Sequence, residues 1–383
     1  MRMTAIISEY NPFHNGHLYQ AKIARQETGA DLIVAIMSGT FTQRGEPAFT
    51  DKWSRAQAAV ASGEIDLVLE LPFYYAVQRA DRFALGGVTI AETIGAHTLS
   101  FGSECGEVTP FITAASENHE ANPRYQELLQ QGLAQGLSSA TAASQAFQAM
   151  TTTLDLTTPN NTLGYYYARA ASSIALHTTK RIGSGYHDLS VGDVMSATAI
   201  RAYYTKHQSL IGLPEATAET LQDAVFASFD TYYPFIRHRL LTTSLADLTQ
   251  FNGMDASLAP RLVDGARQHD SFEGFMSCVK TRRYTRTSLQ RTLIYLLTST
   301  MKREIDGLPF DQIDYVRPLA FNEIGRTALR QIKQRVPIIS TFEKHPWLIK
   351  ESQVTAAYAV PLALYQQLEE HRRFAYFSGK VSR

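Results

Sequence analysis

The chain has 383 residues, of which 44% are hydrophobic and 19% are charged, a composition typical of a globular protein long enough for two domains. Its 36 basic and 36 acidic residues give a formal net charge of zero, which argues against a nonspecific binder of polyanions. Two distant cysteines, Cys105 and Cys278, exclude a disulfide framework and a cysteine-rich zinc site. No long apolar segment indicates a signal peptide or a membrane span, so we expect a cytoplasmic protein that does not bind membranes.

Residues 4–19 predict a strand that passes directly into a helix. A short apolar run is interrupted by Pro12, and the apolar spacing from residue 15 onward is typical of an amphipathic helix. His14, Gly16 and His17 would then lie at a helix N-terminus, where unpaired N–H groups and the helix dipole favour an anion. Gly16 lets the backbone approach a phosphate, and two imidazoles can donate hydrogen bonds to its oxygens. The stretch predicts a nucleotide phosphate site.

Two other interpretations of this histidine pair stay open from the residues alone. His14 and His17 could form half of a metal site, although no cysteine or carboxylate at ligand spacing completes one and we predict no metal held by them. They could also be ordinary helix-capping or surface histidines.

Strands and helices alternate through the first half of the chain. Near-continuous apolar strands between helices predict a parallel sheet covered on both faces, and right-handed crossovers make it an α/β, Rossmann-like doubly wound parallel sheet. Ligands bind such sheets at the carboxyl ends of the strands, where the turns at 9–17, 38–47 and 101–104 would gather. Beyond strand one, the predicted strands are 31–37, 65–69, 97–101 and 174–181, with helices at 51–62 and 80–94.

The second half of the chain has a different pattern. Residues 107–150 form an Ala/Gln/Ser-rich helical insertion, and 183–192 are predicted to be a loop. Beyond about residue 210 the alternation disappears and helical patterns dominate. We predict a nucleotide-binding catalytic domain at 1–210 and a mainly helical domain at 211–383.

Three sets of cations near the predicted ligand edge are candidates for phosphate contacts. Arg44 lies in a glycine-containing loop and could bind phosphate or carboxylate oxygens, or face water. Lys180 and Arg181 end the fifth strand and could neutralise phosphate charge or be solvated cations. Lys52 and Arg55, on the helix after the Arg44 loop, are predicted to be ordinary surface charges.

A basic segment in the helical half is the best nucleic-acid candidate. No acidic residue occurs between Ser277 and Arg303, and Tyr284 could stack an unpaired base among the cations. The alternative is a solvated helix face. The residues predicted to contact the substrate or RNA are Lys280, Arg282, Arg283, Tyr284 and Arg286 of this segment, together with Arg44.

Short motifs carry a family resemblance. His14-Asn-Gly-His17 resembles the H-x-G-H signature of the nucleotidylyltransferase superfamily, and Ser196-Ala-Thr-Ala-Ile-Arg201 resembles its Ser-x-Thr-x-x-Arg signature. A longer series of motifs, in order, resembles the bacterial tRNA(Met) cytidine acetate ligase family. The series is Glu9-Tyr-Asn-Pro-Phe-His-Asn-Gly-His17, Met37-Ser-Gly-Thr-Phe-Thr-Gln-Arg-Gly-Glu-Pro47, Phe101-Gly-Ser-Glu104, Pro159-Asn-Asn-Thr-Leu-Gly164 and Gly185-Tyr-His-Asp188.

The resemblance implies a nucleotidylyltransferase-like fold and a two-step reaction with ATP, acetate and elongator tRNA(Met). Acetate would be activated as acetyl-adenylate, and the acetyl group would pass to the wobble cytidine to give N4-acetylcytidine. Magnesium is expected to accompany ATP, with Glu9 and Glu104 as weak ligand candidates. Two alternatives are an adenylyltransferase acting on a small phosphorylated metabolite and a non-catalytic, nucleotide-responsive RNA-binding protein.

The resemblance also assigns site residues. His14, His17 and Arg201 would be catalytic. Gly102 would leave room for the adenosine, one of Asn160 and Asn161 would contact ATP while the other caps a helix, and Ser196, which can cap the next helix, would hold phosphates with Thr198. The full ATP-binding set implied is Ile7, Ser8, Glu9, Tyr10, Asn11, Pro12, His14, Gly16, His17, Gly102, Asn160, Asn161, Arg181, Ser196 and Thr198.

Overall fold

The computed structural model describes residues 1–117, 119–150, 154–181, 194–341 and 345–379. Within these ranges a seven-stranded sheet has the order β5-β4-β1-β2-β3-β6-β7. The predicted loop 183–192 and the motif Gly185–Asp188 lie outside the described residues. The strands are β1 Met3–Ser8, β2 Leu32–Ser38, β3 Leu67–Leu71, β4 Thr98–Ser103, β5 Ala175–Lys180, β6 Pro318–Asn322 and β7 Tyr376–Ser378.

The first five strands confirm the predicted doubly wound parallel sheet. β1 pairs in parallel with β2 and β4, β2 with β3, and β4 with β5. All seven residues of β2 are buried, as expected for a central parallel strand with helices on both faces. The order reverses between β1 and β4, so a crevice opens at the carboxyl ends of these strands.

Helices cover both faces of the sheet and build most of the second half of the chain. The predicted insertion at 107–150 contains three of them, α5 to α7. The helices are α1 Asn15–Thr28, α2 Lys52–Ala61, α3 Phe73–Ala76, α4 Ala80–Thr93, α5 Thr109–Ser116, α6 Pro123–Ala134, α7 Ser139–Gln148, α8 Pro159–Ala170, α9 Ala197–His207, α10 Glu215–Thr220, α11 Phe229–Thr242, α12 Leu245–Leu248, α13 Leu258–Gln268, α14 Phe272–Val279, α15 Arg286–Leu297, α16 Lys302–Asp306, α17 Glu323–Ile332, α18 Pro346–Ala359 and α19 Tyr365–Leu368.

Two strands from the second half of the chain extend the sheet. β6 pairs antiparallel with β3, and β7 pairs in parallel with β6. The sequence pattern does not predict these strands, because one has five residues with a proline at its start and the other has three. The division into domains at residue 210 stays a prediction, and any such boundary is crossed by this sheet.

The core lies in two layers separated by the sheet. Ile33 of β2 packs in a cluster with Tyr232 and Leu293 of α11 and α15, whereas the next residue, Val34, packs with Phe83 of α4. This alternation follows from the two-residue period of a strand. The C-terminal helices therefore pack on the same side of the sheet as α1 and α2, which belong to the same cluster.

Candidate active site

The turn between β1 and α1 holds the histidine pair through reciprocal caps. His14 is the N-cap of α1, and its Nδ1 accepts a hydrogen bond of 3.0 Å from the backbone N–H of Gly16. The Nδ1 of His17 in turn accepts from the backbone N–H of His14, at 3.3 Å. Both rings thus satisfy N–H groups that a helix start leaves unpaired. The interpretation of His14 as a capping histidine is therefore correct, and it leaves the other ring nitrogen for a second role.

The two imidazoles are neutral donors. Their rings stack with centroids 3.7 Å apart. Burial, together with the charges of Arg181 and Arg201, lowers the pKa of His14 to about 3. Burial, His14 and Arg181 lower the pKa of His17 well below its usual value. Since each Nδ1 accepts a hydrogen bond, each neutral ring carries its proton on Nε2. Two such N–H groups can stabilise oxygens on which negative charge develops.

Two glycines shape the space around this pair. A Cβ on Gly16 would lie 2.9 Å from Cε1 of His14, so only glycine lets the imidazole fold over the helix start. At Gly102, near the end of β4, the nearest neighbour of a Cβ would be Cγ of Arg181, at 3.8 Å. The space beside Gly102 is therefore open, which fits the predicted room for an adenosine.

Arg201, on α9, holds the β1–α1 turn. Its Nη1 donates to the carbonyl oxygen of Asn11 at 2.9 Å, and its Nη2 lies 3.2 Å from a carboxylate oxygen of Glu46. The prediction that Ser196 caps α9 is confirmed, because its hydroxyl accepts from the backbone N–H of Ala199. Arg201 is thus a positioning residue for the β1–α1 turn in this structure, and the catalytic role that the resemblance implies for it stays a prediction.

The carboxyl end of β5 and the N-terminus of α9 carry two further predicted residues. Arg181 directly follows β5, is exposed, and acts electrostatically on both imidazoles. Thr198 is half-buried in the first turn of α9. Lys180, in contrast, packs its aliphatic stem against Gly106. Arg181 is therefore the better placed of the two strand-end cations for a phosphate.

The predicted helix cap by an asparagine is wrong. α8 begins at Pro159, with Thr158 as its N-cap, so Asn160 and Asn161 lie in the first turn. Glu104 accepts hydrogen bonds from the Asn160 side chain (2.7 Å) and the Asn161 backbone (2.9 Å), and Asn161 Oδ1 accepts from the Glu104 N–H. These bonds use both carboxylate oxygens of Glu104, which weakens it as a magnesium ligand. An ATP contact by either asparagine stays a prediction.

The loop after β2 joins the crevice to the C-terminal helices. Glu9 accepts from the Gln43 N–H at 2.7 Å, and burial raises its pKa despite that bond and the nearby charge of Arg44. Gly45 has a φ of +76°, and a Cβ there would lie 2.3 Å from the backbone nitrogen of Arg291 in α15. Arg44 therefore lies between the β1–α1 turn and the helix that carries part of the basic segment.

The prediction that Lys52 and Arg55 are surface charges is wrong. Arg55 is 0% exposed. Its guanidinium donates to the carbonyl oxygens of Thr50 (3.0 Å), Glu9 (2.5 Å), Ser38 (3.2 Å) and Gly39. It thereby ties the ends of β1 and β2 together. The signal in the sequence is the run Ala58-Ala59-Val60 beside Trp53, which leaves α2 little polar surface for solvent.

Lys52 belongs to a buried ionic cluster that fastens the C-terminal segment to the sheet. Its Nζ lies 2.5 Å from Glu70 and 2.6 Å from Glu370, and Arg317 pairs with Glu370 at 2.8 Å. Glu351 adjoins them, and burial followed by the charge of Glu70 raises its pKa to about 8. The cluster is close to neutral with Glu351 protonated, as a buried group of charges needs to be.

The fold supplies acids that the basic segment lacks in sequence. Arg286 forms an ion pair with Glu273, and the hydroxyl of Tyr284 lies 3.1 Å from a carboxylate oxygen of Asp255. The Arg283 guanidinium covers the Tyr284 ring at 5.4 Å. The interpretation of Tyr284 as an open stacking surface is weakened by these contacts. The exposed cations of the segment are Lys280, Arg282, Arg283 and Arg303.

In the part of the chain that the structure describes, no group of three His, Cys, Asp or Glu side chains is arranged to hold a metal ion. None of the helices described is long and apolar enough to cross a bilayer.

Comparison with known proteins identifies the family. The sequence profile of the HIGH Nucleotidyl Transferase family matches residues 1–373. A protein of Exiguobacterium sibiricum named tRNA(Met) cytidine acetate ligase is 82% identical over the full length of both chains. A Bacillus subtilis protein of the same name is 36% identical and covers 94% of this chain and 93% of its own.

Solved structures agree with this assignment. The crystal structure of Thermotoga maritima TmcAL in its apo form I matches with a TM-score of 0.89 at 28% identity, over 98% of this chain and 99% of that one. A second structure of that protein, bound with alpha-thio ATP, matches with a TM-score of 0.87. The chain therefore belongs to the HIGH nucleotidyl transferase family and, within it, to the group of proteins named tRNA(Met) cytidine acetate ligase.

Proposed function

We propose that this protein activates acetate with ATP and transfers the acetyl group to the wobble cytidine of elongator tRNA(Met), in the cytoplasm. In the first step an oxygen of acetate attacks the α-phosphorus of ATP. The bond from that phosphorus to the bridging oxygen breaks, and pyrophosphate leaves as acetyl-adenylate forms. In the second step the exocyclic amine of cytidine attacks the acetyl carbonyl. AMP leaves, the amine loses a proton, and N4-acetylcytidine results.

One observation carries the first step: two neutral imidazoles with Nε2 donors sit at the start of α1, at the carboxyl edge of a parallel sheet. Negative charge grows on the α-phosphate oxygens as acetate attacks, and fixed donors stabilise that charge. The low pKa values keep both rings in the donating neutral form throughout the physiological range. His14 and His17 therefore act by hydrogen bonding and need not exchange a proton.

The neighbouring groups fit the rest of the nucleotide. The open space at Gly102 suits the adenosine. Arg181 and the N-terminus of α9, with Ser196 and Thr198, suit the phosphates that leave. Magnesium would accompany ATP as its usual counter-ion, and since Glu9 and Glu104 both accept backbone hydrogen bonds, neither is assigned to it.

The second step needs RNA beside the same crevice. The loop 38–47 packs against Arg291 of α15. Lys280, Arg282 and Arg283 precede that helix in the chain, and we infer that they border the crevice from the C-terminal side. Exposed cations of this kind bind the phosphate backbone of RNA. A small phosphorylated metabolite needs no such border, which favours transfer to tRNA over that alternative.

The activation step is tested with acetate-dependent ATP–pyrophosphate exchange. His14→Ala and His17→Ala should each lower the exchange rate by about 10²- to 10³-fold, the usual effect of losing one such donor. His207→Ala, which removes an exposed histidine of α9, is the matched control and should retain the wild-type rate. Wild-type exchange in both active-site variants would remove the imidazoles from the mechanism.

The transfer step is tested with the RNA. The double variant Arg282→Glu/Arg283→Glu should weaken tRNA binding and leave exchange intact. Mass analysis of bulk tRNA nucleosides with and without the gene should show N4-acetylcytidine only in its presence. Unchanged nucleosides would contradict the proposed reaction.

A further inference from the structure

A cavity lies between the end of α9 and α10, outside the histidine crevice. Its volume is about 460 Å³, within the range of small-ligand sites. Its lining combines half-buried aromatic rings with exposed amide and carboxylate side chains. The residues used below are Tyr204, Gln208, Leu210, Glu219, Gln222 and Phe226.

The aromatic wall of this cavity is held rigid. Phe226 stacks on Phe49, with ring centroids 4.4 Å apart and planes 26° apart. Tyr204 meets Phe226 at 4.4 Å and the edge of Phe49 at 5.3 Å. Phe49 is buried and packs against both of the other rings. Tyr204 and Phe226 are both half-buried and line the cavity, so the part of each ring that stays accessible can meet an incoming planar group.

Three contacts join the cavity to the β1–α1 turn. The backbone N–H of Phe49 donates to Oδ1 of Asn11 at 2.6 Å. The N–H of Asn15 donates to the carbonyl of Gly212, just beyond the cavity lining, at 3.2 Å. Arg201, which also holds Asn11, precedes Tyr204 by three residues, less than one turn of about 5.4 Å along the same helix. The cavity is thus an immediate neighbour of the histidine pair.

A row of charged and aromatic groups connects the same region to the basic segment. Glu46 pairs with Arg201 and acts electrostatically on Arg286. Phe229, three residues after Phe226, stacks on Phe272 with centroids 4.1 Å apart. The Arg286 guanidinium lies 5.6 Å from the centre of the Phe272 ring. Phe272 is buried, so Glu46, Arg201 and Arg286 are the members of this row that solvent reaches. We infer that RNA bound along the basic segment extends past these three residues to the cavity.

We propose that the cavity binds an unpaired nucleobase of the RNA substrate, stacked on Tyr204 and Phe226. Aromatic side chains stack bases that have left the helical stack, and amides or carboxylates at the rim bind the base edges. Gln208, Glu219 and Gln222 supply those polar groups. The ATP adenine has its own space at Gly102, on the β4 side of the turn. The inference rests on the proposed function only in taking the RNA to be a tRNA.

The test measures the dissociation constant for an anticodon stem-loop of tRNA(Met). Tyr204→Ala and Phe226→Ala should each raise it by about 5- to 150-fold, the range of base–aromatic stacking. Tyr204→Leu, which keeps the packing on Phe49, guards against misfolding and should weaken binding as well. Tyr203→Ala is the matched control, because that neighbouring ring stacks on His207 and is outside the cavity lining; it should leave the constant unchanged.

The second half of the test uses a hairpin whose loop positions are abasic. Its binding should no longer depend on Tyr204, since the base that stacks is missing. Equal affinities of wild type and both alanine variants for the normal hairpin would overturn the inference. A KM for ATP that is raised in the two alanine variants would also overturn the inference, because it would place the adenine in the cavity. If the wild-type protein shows no ATP–pyrophosphate exchange but its affinity for the hairpin still depends on Tyr204, the proposed reaction is refuted and the base site is supported.

Discussion

Arg55 gives the sharpest test of how the crevice is held, because one buried side chain satisfies backbone groups at the ends of β1, which borders the crevice, and of the neighbouring β2. Arg55→Lys keeps the positive charge and most of the aliphatic volume. It replaces a planar fork, which reaches the carbonyls of Glu9, Ser38, Gly39 and Thr50, by a single nitrogen. That nitrogen has three N–H groups at a single point and cannot match oxygens arranged around a planar fork, so we expect two of the four to lose their partner.

The expected cost follows from these lost bonds. A hydrogen bond to a charged group contributes about 1.5 kcal/mol or more, and two lost bonds lower the free energy of unfolding by about 3 kcal/mol. That is a large fraction of the roughly 5–15 kcal/mol typical of native proteins. Because Glu9 precedes the histidine turn, the ATP–pyrophosphate exchange rate should fall too.

Urea unfolding followed by tryptophan fluorescence measures the loss, since Trp53 neighbours Arg55 on α2. Arg267→Lys is the matched control, because Arg267 is 67% exposed in a surface pair with Asp264. Its effect should stay within about 0.5 kcal/mol. If Arg55→Lys proves as stable as Arg267→Lys, the guanidinium does not organise the strand ends and the reasoning is refuted.

Three further predictions concern packing and pH. Gly45→Ala should lower the urea midpoint of unfolding much more than Gly136→Ala. Both glycines have φ near +77°, but only at Gly45 would the added Cβ lie 2.3 Å from the backbone nitrogen of Arg291. Equal effects of the two substitutions would exclude that clash. Glu351 keeps its proton up to a pH of about 8 in the fold, whereas an unfolded glutamate loses it near 4.5, so folding takes up a proton and stability falls as pH rises between these values. Glu351→Gln should flatten this fall, and an unchanged urea-midpoint profile would contradict it. The pH dependence that His14 gives to stability has the opposite sign. Its pKa is about 3 in the fold and 6.5 in the unfolded chain, so its contribution to the free energy of unfolding falls by about 1.4 kcal/mol per pH unit as pH drops below 6.5. His14→Gln should remove that slope from the unfolding free energy measured between pH 7 and pH 5, and a retained slope would show that His14 is not its source.

The local signals in the sequence determined the sheet and the histidine turn. An apolar run, a proline, a glycine and two histidines occur within fifteen residues, and each favours its conformation through neighbours a few positions away. The parallel order of β1 to β5 follows from the same kind of pattern, because alternating strands and helices allow few other topologies. The motif series likewise identified the family, since it needs only residues in order.

Only the tertiary structure decided which charges are buried and what meets the crevice. Lys52 pairs with Glu370, which lies 318 positions later in the chain, and no local sequence pattern can predict such a partner. Arg286 meets Glu273 only after α14 and α15 have packed. The short β6 joins the sheet because β3 has an open edge, not because its own residues demand a strand. Burial and ion pairing depend on what long-range packing brings together, and that is why they had to be observed.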